Sequence, residues 1–424
     1  MIASILLPIA EKIKPILKKI LPRRLRRYAG DQLIKMARRK KLIAKRKPFA
    51  RMRYPDGINL IGYIRGEFGI GQSLRLLCSA IDHADIAYTI YNFEHADNVR
   101  FQDQTWAEKI SNNAMYNINL IHLNPPELRQ GKLKIDHKVW NYRYNIGFWL
   151  WELEEIPKSW EECFADVDEI WTPSEFISNS IRKKTKLPVR TMVYPILAPT
   201  EDAFDRGYFG LPEGIFLFLC LYDSNSVMER KNPMGVIAAF KKAFKPGDEH
   251  VGLIIKINNA SPAEQDRLAA ALSGYRYVFF ISNIMSKIEV NSLIREVDVL
   301  VSLHRAEGFG LTLAEAMLLG TPVIATNWSA NTEFMQEENA CLVGYHLITL
   351  EKDYSVYQAG NRWAEPDLEE AKDFMVRLVE DETLYRQKAA AGQKAVMQQL
   401  SLNRASEMVT NRLCEIYQKQ EVQR

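Results

Sequence analysis

Short apolar runs separated by helical segments recur along this chain, and that alternation constrains its fold more than any other feature. Ile58-Asn59-Leu60-Ile61-Gly62-Tyr63-Ile64 is the first such run, and others stand at 87–92, 117–123, 144–151, 168–172 and 189–196. A segment at 197–212 mixes Pro, Asp and Gly and reads as a hinge. The rhythm then restarts with runs at 215–221, 251–257, 277–281, 297–303 and 323–326. Short runs that are apolar throughout suit strands buried on both faces, as in parallel sheets covered by helices. The chain therefore reads as α/β, with two doubly wound parallel-sheet (Rossmann-like) domains facing across a cleft. Residues 51–200 form the first domain and 201–395 the second. Residues 396–424 form a last helix long enough to pack back on the domain junction.

Residues 1–50 stand apart. They hold sixteen Lys/Arg against two acids, a net +14, so the rest of this +4 chain carries −10. Ile2, Ile5, Leu6, Ile9, Ile13, Ile16, Leu17 and Ile20 share one face at helical spacing, with Pro8, Pro15 and Pro22 segmenting it. The longest uncharged run, residues 1–10, is too short to span a bilayer. Its charges follow the apolar run, the reverse of a secretion signal. A basic amphipathic helical extension of this kind suits an anionic membrane surface through residues 1–47, each basic residue near the surface contributing about 1 kcal/mol. A nucleic-acid arm would not need the apolar face, so no nucleic acid is expected, and a solvated charged helix is the bland alternative. The expected location is the cytoplasm, peripherally on the inner face of the plasma membrane. Five scattered cysteines without a CxxC read as free thiols in a reducing compartment. Seven histidines form no HExxH or HxH pair, so no metal site is expected.

The densest chemistry lies at 304–326, HRAEGFGLTLAEAMLLGTPVIAT. A strand end runs through a loop holding Gly308 and Gly310 into an apolar helix stopped by Gly320 and Pro322. Such a glycine loop presents unpaired N–H groups and the positive end of the helix dipole to an anion. Glu307 and Glu315 bracket it and would suit hydroxyl groups, so the pocket fits a phosphorylated, hydroxyl-rich ligand. Glu315 has a second reading, because Thr312-Leu313-Ala314-Glu315 is also a capping box. Arg230-Lys231, after the first strand of the second domain, reaches the same sheet edge. There a guanidinium fork and an ammonium would stabilise charge on a departing anion. In the first domain, Gly66, Gly69 and Gly71 follow the first strand ahead of a helix at 72–82. His122 ends another strand. Trp149 and Trp151 alternate to one face of the 144–151 strand, with Glu152 next. Rings beside acids can form a sugar or lipid platform, and core packing is the competing reading.

HRAEGFGLTLAEA, with seven residues between its two glutamates, resembles the signature of glycosyltransferase family 4, the retaining transferases of the GT-B fold. The Gly66–Gly71 loop, Glu229-Arg230-Lys231-Asn232-Pro233, the run from Asp168 to Phe176 and the run from Ala330 to Met335 also match, in the family's order. The resemblance implies a nucleotide-diphosphate sugar bound mainly to the second domain, with Glu307 on the sugar hydroxyls and Glu315 on the ribose. The backbone N–H groups of Gly308, Phe309, Gly310, Leu311 and Thr312, with Arg230 and Lys231, would hold the diphosphate. Gly69 and Gly71 would approach it from across the cleft, and Ser282 would lie near the base. It implies no cofactor and no metal beyond the donor itself. Family members commonly place a histidine at the strand end facing the acceptor. Here the matching strand ends Trp149-Leu150-Trp151-Glu152, so His122, Trp151 and Glu152 stand as acceptor-side candidates. The implied function is retaining sugar transfer to a glycan or lipid-linked acceptor; the membrane location expected from residues 1–47 places that acceptor in bacterial surface polysaccharide synthesis. The rivals are a non-catalytic glycan- or nucleotide-binding scaffold and a glycoside phosphorylase of the same architecture. Deleting residues 1–47 should abolish salt-sensitive co-sedimentation with anionic vesicles; unchanged sedimentation would refute the membrane reading.

Overall fold

The computed structural model describes Leu25 and residues 45–95, 99–111 and 113–422. The amphipathic extension, apart from Leu25 and residues 45–50, therefore lies outside the described residues. The first domain is a parallel sheet of β1 (Ile58–Gly62), β2 (Tyr88–Asn92), β3 (Ile118–His122), β4 (Tyr144–Phe148), β5 (Glu169–Thr172) and β6 (Val189–Thr191). Its order is β2-β1-β3-β4-β5-β6. The second sheet holds β7 (Phe216–Asp223), β8 (Val251–Asn258), β9 (Val278–Ile281), β10 (Val299–Ser302), β11 (Val323–Thr326) and β12 (Cys341–Val343), in the order β12-β11-β10-β7-β8-β9. β1, β3, β5 and β11 are buried at every position, as expected of strands covered on both faces. Each sheet reverses its strand order once, between β1 and β3 and between β7 and β10. Ligands of open α/β sheets bind outside the carboxyl ends of the strands at such reversals. The two-domain doubly wound architecture is as the sequence implied.

A ladder of amides fixes the register of the first sheet. Asn59, Asn119 and Asn145 lie opposite one another on β1, β3 and β4 and are fully buried. Asn59 Nδ2 donates to Asn119 Oδ1 at 2.9 Å, and Asn119 Nδ2 donates to Asn145 Oδ1 at 2.8 Å. Their remaining groups bond the loops that enter the strands, including the Met115 and Tyr116 N–H groups and the Val139 carbonyl. No amide of the ladder is left unsatisfied, which is the condition for burying it.

The chain crosses to the second domain after β6 and returns near Leu400, whose carbonyl accepts from the Ile196 N–H at 2.9 Å. Its last helix, Leu402–Val422, packs on the helix Gly69–His83 of the first domain. Arg412 of that last helix, 5% exposed, grips the fully buried Glu169 of β5, with Nε donating to Oε1 at 2.8 Å and Nη2 bonded to Oε2. Tyr144 Oη and Trp171 Nε1 donate to the same carboxylate.

Several elements differ from the sequence reading. The strand expected at 144–151 stops at Phe148, because the Leu150 N–H turns to Asn124 Oδ1 at 2.8 Å. Trp149 and Trp151 therefore do not line one face of a strand. Both are buried, packing on Trp160. The helix expected from residue 72 begins at Gly69, so Gly69 and Gly71 form its first turn and Gly66 stays in the loop before it. An antiparallel hairpin, β13 (Tyr345–Thr349) and β14 (Arg362–Pro366), was not foreseen. Its strands are joined by residues 350–361, with none of the two-residue turn signals that betray a hairpin in sequence.

Arg412→Ala would leave Glu169 buried without its counter-charge. The loss should be about 3–5 kcal/mol in urea unfolding, and the paired change Glu169→Gln with Arg412→Met should cost markedly less.

Candidate functional site

The loops after β7 and β10 flank the strand reversal of the second sheet and place the charged residues there. β7 leads into the four-residue helix Met228–Lys231, and Asn232 ends it in the left-handed conformation, φ +53°. Asn232 Oδ1 accepts from the Gly235 N–H to start the next helix, and its Nδ2 donates to the Leu303 carbonyl at 2.9 Å, tying the two loops together. Val227, a β-branched residue at φ +68°, is a strained position of the kind found at functional sites.

Arg230 is 3% exposed. Its Nη1 donates to the Ala306 carbonyl at 2.7 Å and lies 3.5 Å from Glu307 Oε2, and its Nε donates to the Ser226 carbonyl. Lys231 Nζ lies 2.5 Å from the same Glu307 oxygen. The three residues expected to act on the transferred group thus form one cluster. Burial pushes the Glu307 carboxyl up, but the charges of Lys231 and Arg230 outweigh it and hold it at about 2. Burial alone would weaken the Arg230 charge. Tyr357, Glu307 and Glu152 reverse that, so the guanidinium stays protonated. His304 is fully buried between Ser302 Oγ and Asn331 Oδ1, and burial keeps it neutral.

The glycine loop enters the helix Leu311–Leu318 through Gly310, which sits at φ +96° as the N-cap and supplies no side-chain cap. The capping box does not form. The helix starts two residues too early for Thr312 to be the cap, so Glu315 points inward instead of back to the first turn. Glu315 is 1% exposed, and its Oε2 lies 2.6 Å from Lys287 Nζ. Neither oxygen takes a hydrogen bond from a backbone or hydroxyl group of the described residues. Burial raises its pKa against the pull of Lys287. The first-turn N–H groups, uncapped by any side chain, can accept an anion. Phe309 contributes only its backbone, since its ring packs on Tyr194 and Phe334. The domains touch at this loop. A Cβ on Gly308 would fall 2.8 Å from the Trp151 carbonyl, and Ser174 Oγ donates to the Gly308 carbonyl.

Across the cleft the candidates separate. A Cβ on Gly71 would fall 2.1 Å from the Gly66 carbonyl, so this glycine serves packing, whereas Gly69 faces open space. His122 is 1% exposed, lies 2.5 Å from Ser73 Oγ through Nε2 and stacks on Phe148, with Nδ1 unpartnered among the described residues. Burial lowers its pKa to about 4, so it is neutral at physiological pH. Trp151 is core: 4% exposed, its Nε1 donates to the Glu155 carbonyl, so it offers no platform. Glu152 does reach the site, where its Oε2 accepts from Tyr357 Oη at 3.0 Å. Ser282 is exposed at the end of β9, and the neighbouring Asn283 carbonyl accepts from Lys256 Nζ at 3.0 Å.

Sequence reading missed Lys256, Lys287 and Tyr357. Lys256 had a signal, as the one charge within the apolar run VGLIIKIN of β8, and burial pushes it down to about 8. Lys287 and Tyr357 had none, since each acquires its partner only through tertiary packing.

Two Rossmann-like domains with charged loops on facing carboxyl edges define the GT-B class. The stretch 221–349 matches the family model described as glycosyl transferases group 1, and the resemblance seen in the sequence is borne out there. No curated protein matches the chain. Among solved structures the chain is similar to Anabaena Alr3699/HepE in complex with UDP-glucose, at 13% identity and TM-score 0.63, over 84% of this chain and 99% of that one. It is also similar to sucrose-phosphate synthase from Thermosynechococcus elongatus, at 15% identity and TM-score 0.62, over 88% and 100%. A mutant of S. aureus TarM in complex with fondaparinux, alpha-GlcNAc-glycerol and UDP matches at 14% identity and TM-score 0.51, over 70% and 55%.

Because the folded Glu307 carboxyl lies below its unfolded value, its stabilisation is complete above about pH 4.3 and is lost as pH falls through about 2. The stability gap between the native chain and Glu307→Gln, read by urea unfolding, should therefore be flat from pH 7 to about 5 and close by roughly 3 kcal/mol on further acidification.

Proposed function

We propose that the protein transfers a sugar from a nucleotide-diphosphate donor to a hydroxyl of a glycan or lipid-linked acceptor, with retention of anomeric configuration. The observation that carries this is the Arg230-Lys231-Glu307 cluster beside the uncapped Gly310 helix start, at the strand reversal of the second sheet. A diphosphate seated on the Gly308–Thr312 backbone meets Lys231, whose partner Glu307 then turns to the sugar hydroxyls. Glu315, with both oxygens free of backbone and hydroxyl donors, receives the ribose diol. The bond between the anomeric carbon and the diphosphate oxygen breaks with its electron pair leaving on the diphosphate. The acceptor oxygen bonds the same face of that carbon, and its proton passes to the departing diphosphate. Fixed cations that stabilise the leaving group supply the catalysis, so the step needs neither metal nor cofactor. UDP-glucose bound by the Anabaena neighbour makes uridine donors the first to test.

The basic amphipathic run in residues 1–47 would hold the enzyme on the cytoplasmic face of the plasma membrane, beside a lipid-linked acceptor of surface polysaccharide synthesis. Among the described residues no helix is long and apolar enough to cross a membrane.

A panel of nucleotide sugars, each incubated with the protein and followed for slow release of the nucleotide, tests the reading. Turnover of one donor supports it; release that requires free phosphate and no nucleotide would make the protein a phosphorylase, and none at all a scaffold. Lys231→Ala and Arg230→Ala should each lower kcat for the selected donor by about 10²–10³ while far-ultraviolet dichroism stays native. Near-normal turnover in both would remove them from catalysis.

A further inference from the structure

After β12 the chain leaves the second sheet, and its β13–β14 hairpin reaches across to the first domain. The root of the hairpin is fixed: Arg305 pairs with Glu365 through two hydrogen bonds of 2.6 and 2.8 Å, and the Ala364 N–H donates to the Arg305 carbonyl. Its tip is also fixed. Tyr354 and Tyr357 exchange backbone hydrogen bonds of 2.8 and 3.0 Å around Ser355, which sits at φ +57°. Between these points Arg362 Nη2 donates to Glu154 Oε2 of the first domain at 2.9 Å.

Tyr357 is the residue this scaffold delivers to the cleft. It is 4% exposed, and its ring packs on Trp151 at 5.5 Å between centroids. The guanidinium of Arg230 lies 5.9 Å from the centroid of the same ring, within cation–π range. Its hydroxyl donates to Glu152 Oε2. A ring alone would fill the interdomain gap. The hydroxyl does something more, because it holds Glu152, a first-domain carboxylate whose charge acts on Arg230.

We propose that the hairpin is a strap across the cleft and that Tyr357 is a positioning residue: its hydroxyl fixes Glu152 beside Arg230, with Oε1 turned to the hydroxyl of the incoming acceptor. The role of Glu152 towards an acceptor rests on the sugar-transfer reading. The strap itself does not, and the two separate experimentally.

The test uses the full chain as Tyr357→Phe, which keeps the ring, Glu152→Gln and the double variant. Without any ligand, hydrogen exchange followed by mass spectrometry should show amides of residues 149–157 and 350–361 exchanging about tenfold faster in each single variant, with the double variant no faster than either. With UDP-glucose as probe donor and water as acceptor, Tyr357→Phe should lower kcat about tenfold and leave the donor KM within twofold, as for a group acting on the attacking oxygen. Unchanged exchange at 149–157 in Tyr357→Phe would overturn the strap. A raised donor KM with unchanged kcat would overturn the positioning role. If UDP-glucose is untouched even by the native chain, that donor reading fails while the exchange result still decides the strap.

Discussion

A guanidinium buried to the extent of Arg230 is tolerable only if every face of it is answered. Two carbonyls, Ala306 and Ser226, take its N–H groups, Glu307 supplies the opposite charge, and the Tyr357 ring lies alongside. Ser226 belongs to the loop of Arg230 itself, Ala306 and Glu307 to the loop after β10 and Tyr357 to the hairpin, so satisfying one charge fixes these three segments relative to each other. The site is therefore shaped before any ligand arrives, which is what electrostatic catalysis needs. Its charges are also paired internally: Glu307 faces Lys231, and Glu315 faces Lys287. On the proposed reading, a nucleotide-sugar donor would exchange these internal partners for its own hydroxyls and phosphates, so its binding would be a substitution of contacts and not an addition of them.

Most of the fold could be read from residue pattern because its strands are buried on both faces, and double burial leaves unmistakable apolar runs. The charged residues of the donor side were legible for a different reason. They cluster in short stretches, Glu229-Arg230-Lys231-Asn232-Pro233 and the one from His304 to Glu315, where local chain geometry alone brings them to the sheet edge. Misreadings arose where tertiary contact overrode local pattern. Trp149 and Trp151 alternate as a strand would, yet Asn124 pulls the chain out of the sheet at Leu150. Thr312 and Glu315 have the spacing of a cap, but the positive φ available to Gly310 lets the helix begin without one. The hairpin that carries Tyr357 had no readable signature, since no two-residue turn joins its strands and β13 lacks the double burial that marks the others.

The first sheet spends its polar groups in two separate places. At the carboxyl end of β3 stands His122, beside Ser73 Oγ. At the opposite ends Asn59, Asn119 and Asn145 run side by side through the interior. Sliding any one of these strands by a single residue would break the row and strand three amides without water, besides turning every apolar side chain over. The alignment of this half of the molecule is thus guaranteed from the far side of the sheet. Residues facing the cleft carry no such duty, and on the proposed reading substitutions there would alter which acceptor is admitted without loosening the frame that presents it.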